Sequence, residues 1–211
     1  MSRSSRWSAL PVVVMLGLAP LSQASAQFIS PGLMVGGSLS TFTGDTYSDV
    51  KNYAGFIAGA FVRVGVAGFA VQPGVYYTTK GVKSSDFSET TGVGSKQALD
   101  YIQIPIVIRL HMGPLYVGAG PAVGFKLGCK ITFAATASSG SEDCEGNSGA
   151  YNPKSIEYTG ILEAGLEFGK FSLGGRADLG LSNVVEAANA GNASLIDAKT
   201  RTVSVVAAIR F

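Results

Sequence analysis

The chain has 211 residues, of which 14% are charged and 28 are glycine; ordinary soluble domains run near 25% charged and about half that glycine share. Hydrophobic residues reach 46% and the mean hydropathy is +0.30, which excludes disorder as the dominant state and, without an Ala/Glu/Lys/Leu/Arg-rich bias, excludes a coiled coil. One histidine and two cysteines leave almost no ligands for a zinc or iron centre, so no metal or other cofactor is expected.

Residues 1–26 read as a secretory signal. Arg3 and Arg6 supply a basic start, Leu10 to Leu21 a short apolar stretch, and Ala24-Ser25-Ala26 a small-residue cleavage site. The apolar stretch falls short of the roughly 20 residues a spanning helix needs. Residues 27–211 are then one domain. The chain carries 16 basic and 14 acidic residues, and loss of Arg3 and Arg6 brings the two into balance. A nucleic-acid partner is disfavoured, because phosphate binding needs a basic surplus on one face. No later run reaches 18 consecutive apolar residues, so no membrane helix is predicted; strands with alternating polarity account for the same hydropathy.

Eight such segments follow. Leu33–Thr41 and Tyr53–Val64 are glycine-rich. In the third, Phe69, Val71, Val75 and Tyr77 oppose Gln72, Tyr76, Thr78 and Lys80. In the fourth, Ile102, Ile104, Ile106, Ile108 and Leu110 oppose Tyr101, Gln103 and Arg109. In the fifth, Leu115, Val117, Ala119, Val123, Phe125 and Leu127 oppose Tyr116, Lys126, Lys130 and the glycines 118, 120, 124 and 128. The sixth sets Tyr158, Leu162, Ala164, Leu166 and Phe168 against Glu157, Thr159, Glu163 and Glu167. The seventh sets Phe171, Leu173, Ala177, Leu179 and Leu181 against Ser172, Arg176, Asp178 and Ser182. The last sets Val203, Val205, Ala207, Ile209 and Phe211 against Thr202, Ser204 and Arg210. This is period-two patterning throughout. Tight connections near 65–68, 113–114 and 169–170 alternate with long polar ones near 43–52, 84–97, 136–153 and 187–198. Short turns on one rim and long loops on the other predict an all-β fold, an eight-stranded antiparallel up-and-down barrel with periplasmic turns and external loops.

Alternation alone would also suit a soluble barrel with an apolar interior. The charges decide. Arg109, Lys126, Lys130, Glu157, Glu163, Glu167, Arg176 and Asp178 recur mid-strand on the polar face. Turned inward they pair in a lumen; turned outward each would cost about 2–4 kcal/mol at mid-bilayer. The expected solvent for the apolar face is therefore lipid, and the charged set is expected to be a structural ion-pair network rather than acid–base machinery. The inward glycines are expected to make room for Tyr and Arg side chains, since an eight-stranded interior is filled by side chains.

The chain resembles the small Gram-negative outer membrane protein beta-barrel domain family, PorT-like and of the OmpA/OmpX type. The carriers are Val71-Gln72-Pro73 through Lys80-Gly81-Val82-Lys83, Leu99-Asp100-Tyr101-Ile102-Gln103-Ile104-Pro105, Gly118-Ala119-Gly120-Pro121, Arg176 through Gly180-Leu181-Ser182-Asn183-Val184, and the closing Arg210-Phe211. The resemblance implies an eight-stranded barrel in the outer membrane, with prolines at 73, 105 and 121 despite the ladder donor each removes. Bulges or unpartnered N positions are expected there. Gln103 stands where that family is expected to carry an acid. The resemblance further implies that Phe211, closing the stripe Val203, Val205, Ala207 and Ile209, is read by the barrel-insertion machinery.

Four smaller readings complete the set. Cys129 and Cys144, 15 positions apart in an oxidising envelope, are expected to form a disulfide. His111, the sole histidine, falls on the short-turn side and reads as a rim residue, away from the outer leaflet where a lipid-modifying enzyme would act. Tyr77, Tyr101 and Tyr158 read as interface-belt aromatics, and the sequon Asn192-Ala193-Ser194 carries no meaning in a bacterial chain. The function expected is a non-enzymatic, monomeric barrel in the lipid bilayer of the outer membrane, with a structural or recognition role through four loops and an unnamed surface partner. An accessory of an envelope secretion system, a narrow channel and a lipid-modifying enzyme are the alternatives.

Overall fold

The computed structural model describes residues 28–66, 68–84, 95–133, 140–143, 154–182 and 199–211, less 44–49. Nine strands occupy them: β1 (Phe28–Thr43), β2 (Val50–Val66), β3 (Phe69–Ser84), β4 (Ser95–Met112), β5 (Leu115–Phe133), β6 (Gly140–Asp143), β7 (Ile156–Phe168), β8 (Phe171–Gly180) and β9 (Lys199–Arg210). All pairings are antiparallel between sequence neighbours, except that β5 also pairs with β7 and β1 pairs with β9. The β1–β9 seam closes an eight-stranded barrel. The ninth strand, β6, is an extra four-residue piece that folds back on Lys130–Phe133 above the rim. Sequence patterning missed it because its polar residues, Gly140-Ser141-Glu142-Asp143, show no apolar alternation.

The three tight turns each carry a glycine at positive φ: Gly68 at 84°, Gly113 at 63° and Gly169 at 59°. A side chain there would be strained, and these glycines fix the turn rim. Closure leaves none of the eight barrel strands with an open edge through the wall, which is what a sheet in hydrocarbon requires. The outward face is apolar from that rim upward. Leu33, Val35, Val75, Ile106, Leu110, Leu127, Leu162, Leu173, Val203 and Val205 are all exposed, while the inward face holds the buried polar residues. β1 to β5, at 16–19 residues, exceed the roughly 9–11 a tilted strand needs to cross a bilayer. Their wall therefore rises past the membrane on the loop side.

The prolines at 73, 105 and 121 are accommodated without loss of register. Ladder pairing stops at Phe61↔Gly74 and resumes at Val64↔Val71; it stops at Pro73↔Ile106 and resumes at Tyr76↔Gln103; it stops at Pro105↔Ala122 and resumes at Ile108↔Ala119. The bulges lie elsewhere, between Asn52 and Ile57 on β2 and at Asp100/Tyr101 opposite β5. The second one corrects two expectations. Asp100 pairs with Gly128 and Tyr101 with Lys126, so Leu127 is the inserted residue and face parity inverts beyond it. Lys130 is accordingly exposed on the outward side and not in the lumen, and Gly128 shares the face of Asp100. Tyr101 also departs from the belt assignment: it is fully buried inside the barrel, whereas Tyr158 is 55% exposed.

Candidate functional site

The barrel interior is the concentrated chemistry of this molecule. Its side chains stack in tiers along the axis. Nearest the loops, the Lys80 ammonium donates to Glu157 Oε2 at 2.9 Å, with both side chains 1% exposed. The Thr200 hydroxyl donates to the other carboxylate oxygen, and the ammonium lies 5.5 Å from the Tyr101 ring centroid. Ser40 stitches this tier to the wall: its hydroxyl donates to the Gly81 carbonyl at 3.1 Å and accepts the Gly81 N–H at 2.8 Å.

The next tier is a three-residue knot. Arg176 Nε donates to Asp178 Oδ1 at 2.8 Å and Nη2 donates to Gln103 Oε1 at 2.7 Å. The Gln103 amide donates to Asp178 Oδ2 at 3.2 Å. A glutamine at 103 can accept from the guanidinium and donate to the carboxylate at once, which an ionised acid cannot. Arg176 also lies 5.3 Å from the Tyr76 ring.

Below it Arg109 Nε pairs with Glu163 Oε1, and the Arg109 guanidinium sits 4.4 Å over the Tyr116 ring. Arg109 Nη1 and Glu163 Oε2 find no further partner. Glycines shape this tier. A Cβ on Gly118 would stand 3.0 Å from the Glu163 side chain, and one on Gly174 would stand 2.4 Å from the Tyr116 hydroxyl. The same tier is flanked by two apolar packets, Met34, Ile57, Phe61, Tyr76 and Val206 on one wall and Val107, Ala122 and Ile161 on the other.

At the turn mouth, Glu167 accepts from Arg63 Nη1 and from Arg210 Nη2, each at 2.5 Å, and His111 Nε2 stands 3.5 Å away. Arg63 also donates to Gln72 Oε1 through Nε and Nη2 at 3.1 and 3.0 Å. Arg63, His111, Glu167, Arg210 and Ser30 line a cavity of about 410 Å³. The carboxylate is committed to two guanidinium groups and is farther from the imidazole, an arrangement that braces the rim.

Of the residues singled out in the sequence, Arg109, Glu157, Glu163, Arg176 and Asp178 are buried inside the barrel, and Glu167 is half-buried at its turn end. Lys126 is half-buried at the loop end of the inward face, opposite Tyr101 in register, and Lys130 lies outside. Sequence reading missed Arg63, Lys80, Gln103 and Arg210 as partners. Lys80 and Gln103 were on the polar faces of their strands; Arg63 sat in a glycine-rich strand whose alternation is weak in the sequence. Cys129 is buried, with the Gln97 amide 3.6 Å from its sulfur; Cys144 lies outside the described residues, as do residues 1–26 and the sequon. On the stripe of β9, Val203, Val205 and Phe211 are 62, 65 and 63% exposed, Ala207 is exposed and Ile209 half-buried.

Among curated proteins no relative matches. The solved structure of Neisserial surface protein A matches over 88% of this chain and 100% of its own, at 9% identity and a TM-score of 0.54, a likeness of fold. The translocator domain of the autotransporter NalP from Neisseria meningitidis covers 87% of each chain at 10% identity, but its TM-score of 0.22 carries no argument. The model of the outer membrane protein beta-barrel domain matches residues 22–186. With its closed barrel, lipid-compatible exterior and paired interior, the chain belongs to the outer membrane protein beta-barrel domain family and is a protein of the outer membrane.

Proposed function

We propose that this barrel is a non-enzymatic, non-conducting scaffold that holds four long loops at the cell surface, where they serve a structural or recognition role. The observation that carries the reading is the succession of ion-paired tiers across the lumen. Lys80–Glu157, Arg176–Gln103–Asp178 and Arg109–Glu163 each balance their charge and each lie against an aromatic ring. A carboxylate engaged by a guanidinium and an aromatic face is poorly placed to exchange protons with a substrate, and a lumen so filled leaves no continuous water path. Besides the cavity at the turn mouth, what remains accessible to another molecule is the outer wall and the loops. The fold neighbour is, by its name, a surface protein.

Planar-bilayer recording of the purified protein is expected to show no steady, single-step conductance; such steps would overturn the sealed interior. The loop role is tested separately by shortening the connections at 85–94 and 183–198 in a barrel that retains its heat-modifiable gel mobility. Binding of surface or envelope material is expected to fall with the loops. Unchanged binding and an unchanged deletion phenotype would remove the recognition role.

A further inference from the structure

The turn mouth differs from the tiers above it in its charge. Lys80–Glu157, Arg176–Asp178 and Arg109–Glu163 each set one cation against one anion. The side chains around the mouth cavity instead set two guanidiniums, Arg63 and Arg210, against the single carboxylate of Glu167. A concave site with an excess of one sign of charge concentrates ions of the other sign, so this cavity favours an anion.

Hydrogen-bond donors are in excess as well. A guanidinium carries five N–H groups, and Arg63 commits three of them, to Gln72 and Glu167. Arg210 commits Nη2 to Glu167 and to the Gly169 carbonyl, while its Nε has no partner. His111 Nε2 stands 3.5 Å from Glu167 Oε2 and has no hydrogen-bond partner either. Ser30, in register with Arg63, adds a hydroxyl to the lining. Both oxygens of Glu167 are already engaged, so the lining offers donors rather than acceptors. The rest of the wall is small or apolar: Gly65, Gly68, Ala70 and Gly113, with Phe69. Ala70 is in register with Arg109, which makes the balanced Arg109–Glu163 pair the next tier inward.

We propose that the turn mouth is a binding site for a small soluble monocarboxylate with an apolar body. One added negative charge balances the second guanidinium, and a planar carboxylate matches the guanidinium fork. The apolar body lies along Phe69 and the glycines of the wall. A volume of about 410 Å³ falls at the lower end of the range for small-molecule sites, which suits a solute rather than a polypeptide. The short-turn rim of an outer-membrane barrel faces the periplasm, so the ligand is a periplasmic solute. Glu167 holds the same two guanidiniums and acts as a built-in competitor that limits the affinity. The site is remote from the loops, so failure of either proposal leaves the other standing.

The test is solution NMR of the isotope-labelled full protein in detergent micelles, read at the Gly68, Ala70 and Gly113 amides, with benzoate as the probe and benzamide as its neutral isostere. Benzoate is expected to shift these amides saturably, and benzamide to bind at least about tenfold more weakly. Phenyl phosphate, which carries close to two negative charges, is expected to bind no tighter than benzoate. R210Q is expected to weaken benzoate binding at least about fivefold, and E167Q to tighten it by a similar factor, each with heat-modifiable mobility retained. K130Q, on the outer wall, is expected to match wild type. Absence of saturable shifts in wild type, equal binding of benzamide, or tighter binding of phenyl phosphate would overturn the assignment. So would a folded E167Q that binds benzoate no tighter than wild type, or a loss in K130Q equal to that in R210Q. Should R210Q or E167Q not fold, the three wild-type titrations decide.

Discussion

Substituting Glu163 by Gln perturbs the lumen at its driest point. The Arg109 and Glu163 side chains are 1% and 0% exposed, and on the adjoining strand Arg176 is in direct register with Glu163. The carboxylate therefore answers Arg109 directly and lies in the field of a second guanidinium. Removing one partner of a buried pair costs about 3–5 kcal/mol, because the surviving charge is left uncompensated. Gln keeps the shape and one acceptor for Arg109 Nε, which places E163Q near the lower end, about 3 kcal/mol, and E163A near the upper. The double variant E163Q/R109M removes both charges; buried pairs replaced by apolar groups of similar volume are often neutral or better, so most of the loss should return. Urea unfolding in lipid vesicles, followed by the heat-modifiable mobility shift, measures all four corners of the cycle, and a coupling of about 2 kcal/mol or more is expected, within the range found for residues in contact. A single variant within about 0.5 kcal/mol of wild type, or a double variant as unstable as the sum of the singles, would refute a dry, paired interior.

Two further outcomes follow from the wall. Gly120→Ala would put a Cβ 1.9 Å from the Ile106 carbonyl oxygen, whereas Gly175→Ala meets nothing within 4 Å; folded yield in vesicles should collapse for the first and hold for the second, and equal yields would refute the close approach of β4 to β5. The proposed Cys129–Cys144 disulfide would lower the intact mass by about 2 Da in the absence of reductant, two hydrogens being lost, and its removal should cost roughly 3 kcal/mol for a loop of about 15 residues; full alkylation of both thiols without reductant would exclude it.

The barrel was legible because period-two alternation in eight segments, with connections alternating short and long, admits few closed solutions. The same reasoning failed where a single residue is inserted. One extra residue at Leu127 turns Lys130 outward and Gly128 with it, and nothing in the composition near it announces the bulge. The charged positions were legible as a face, but their partners were not. Lys80 meets Glu157 from a strand 77 residues away in sequence, and which base meets which acid depends on stagger and tilt around the whole barrel, quantities that no single strand encodes. Gln103 illustrates the limit most plainly: read as a missing acid, it is the residue that satisfies both Arg176 and Asp178.

The C-terminal residue separates two roles that the fold alone merges. Phe211 is 63% exposed, so little of its ring is buried by protein, and its N–H donates to the Pro31 carbonyl at 2.9 Å, extending the β1–β9 seam. Its ring also lines an apolar groove of about 580 Å³ with Pro31, Pro73, Val75 and Ile104. Deleting the residue would remove both the ring and a seam hydrogen bond, whereas Phe211→Ala removes the ring and keeps the backbone donor. Even full burial of the ring against lipid is worth only about 2 kcal/mol, too little by itself to prevent a closed barrel from forming. We therefore expect F211A to refold into vesicles of purified lipid almost as well as wild type. If the terminal aromatic is read by the insertion machinery, the same variant will be depleted from the outer membrane of cells and appear as periplasmic or degraded material. Depletion in cells with normal refolding in vesicles assigns Phe211 to recognition during assembly. Normal levels in both would reduce it to one more lipid-facing side chain, and failure in both would place its contribution in the packing of the ring against Pro31, Pro73 and Ile104.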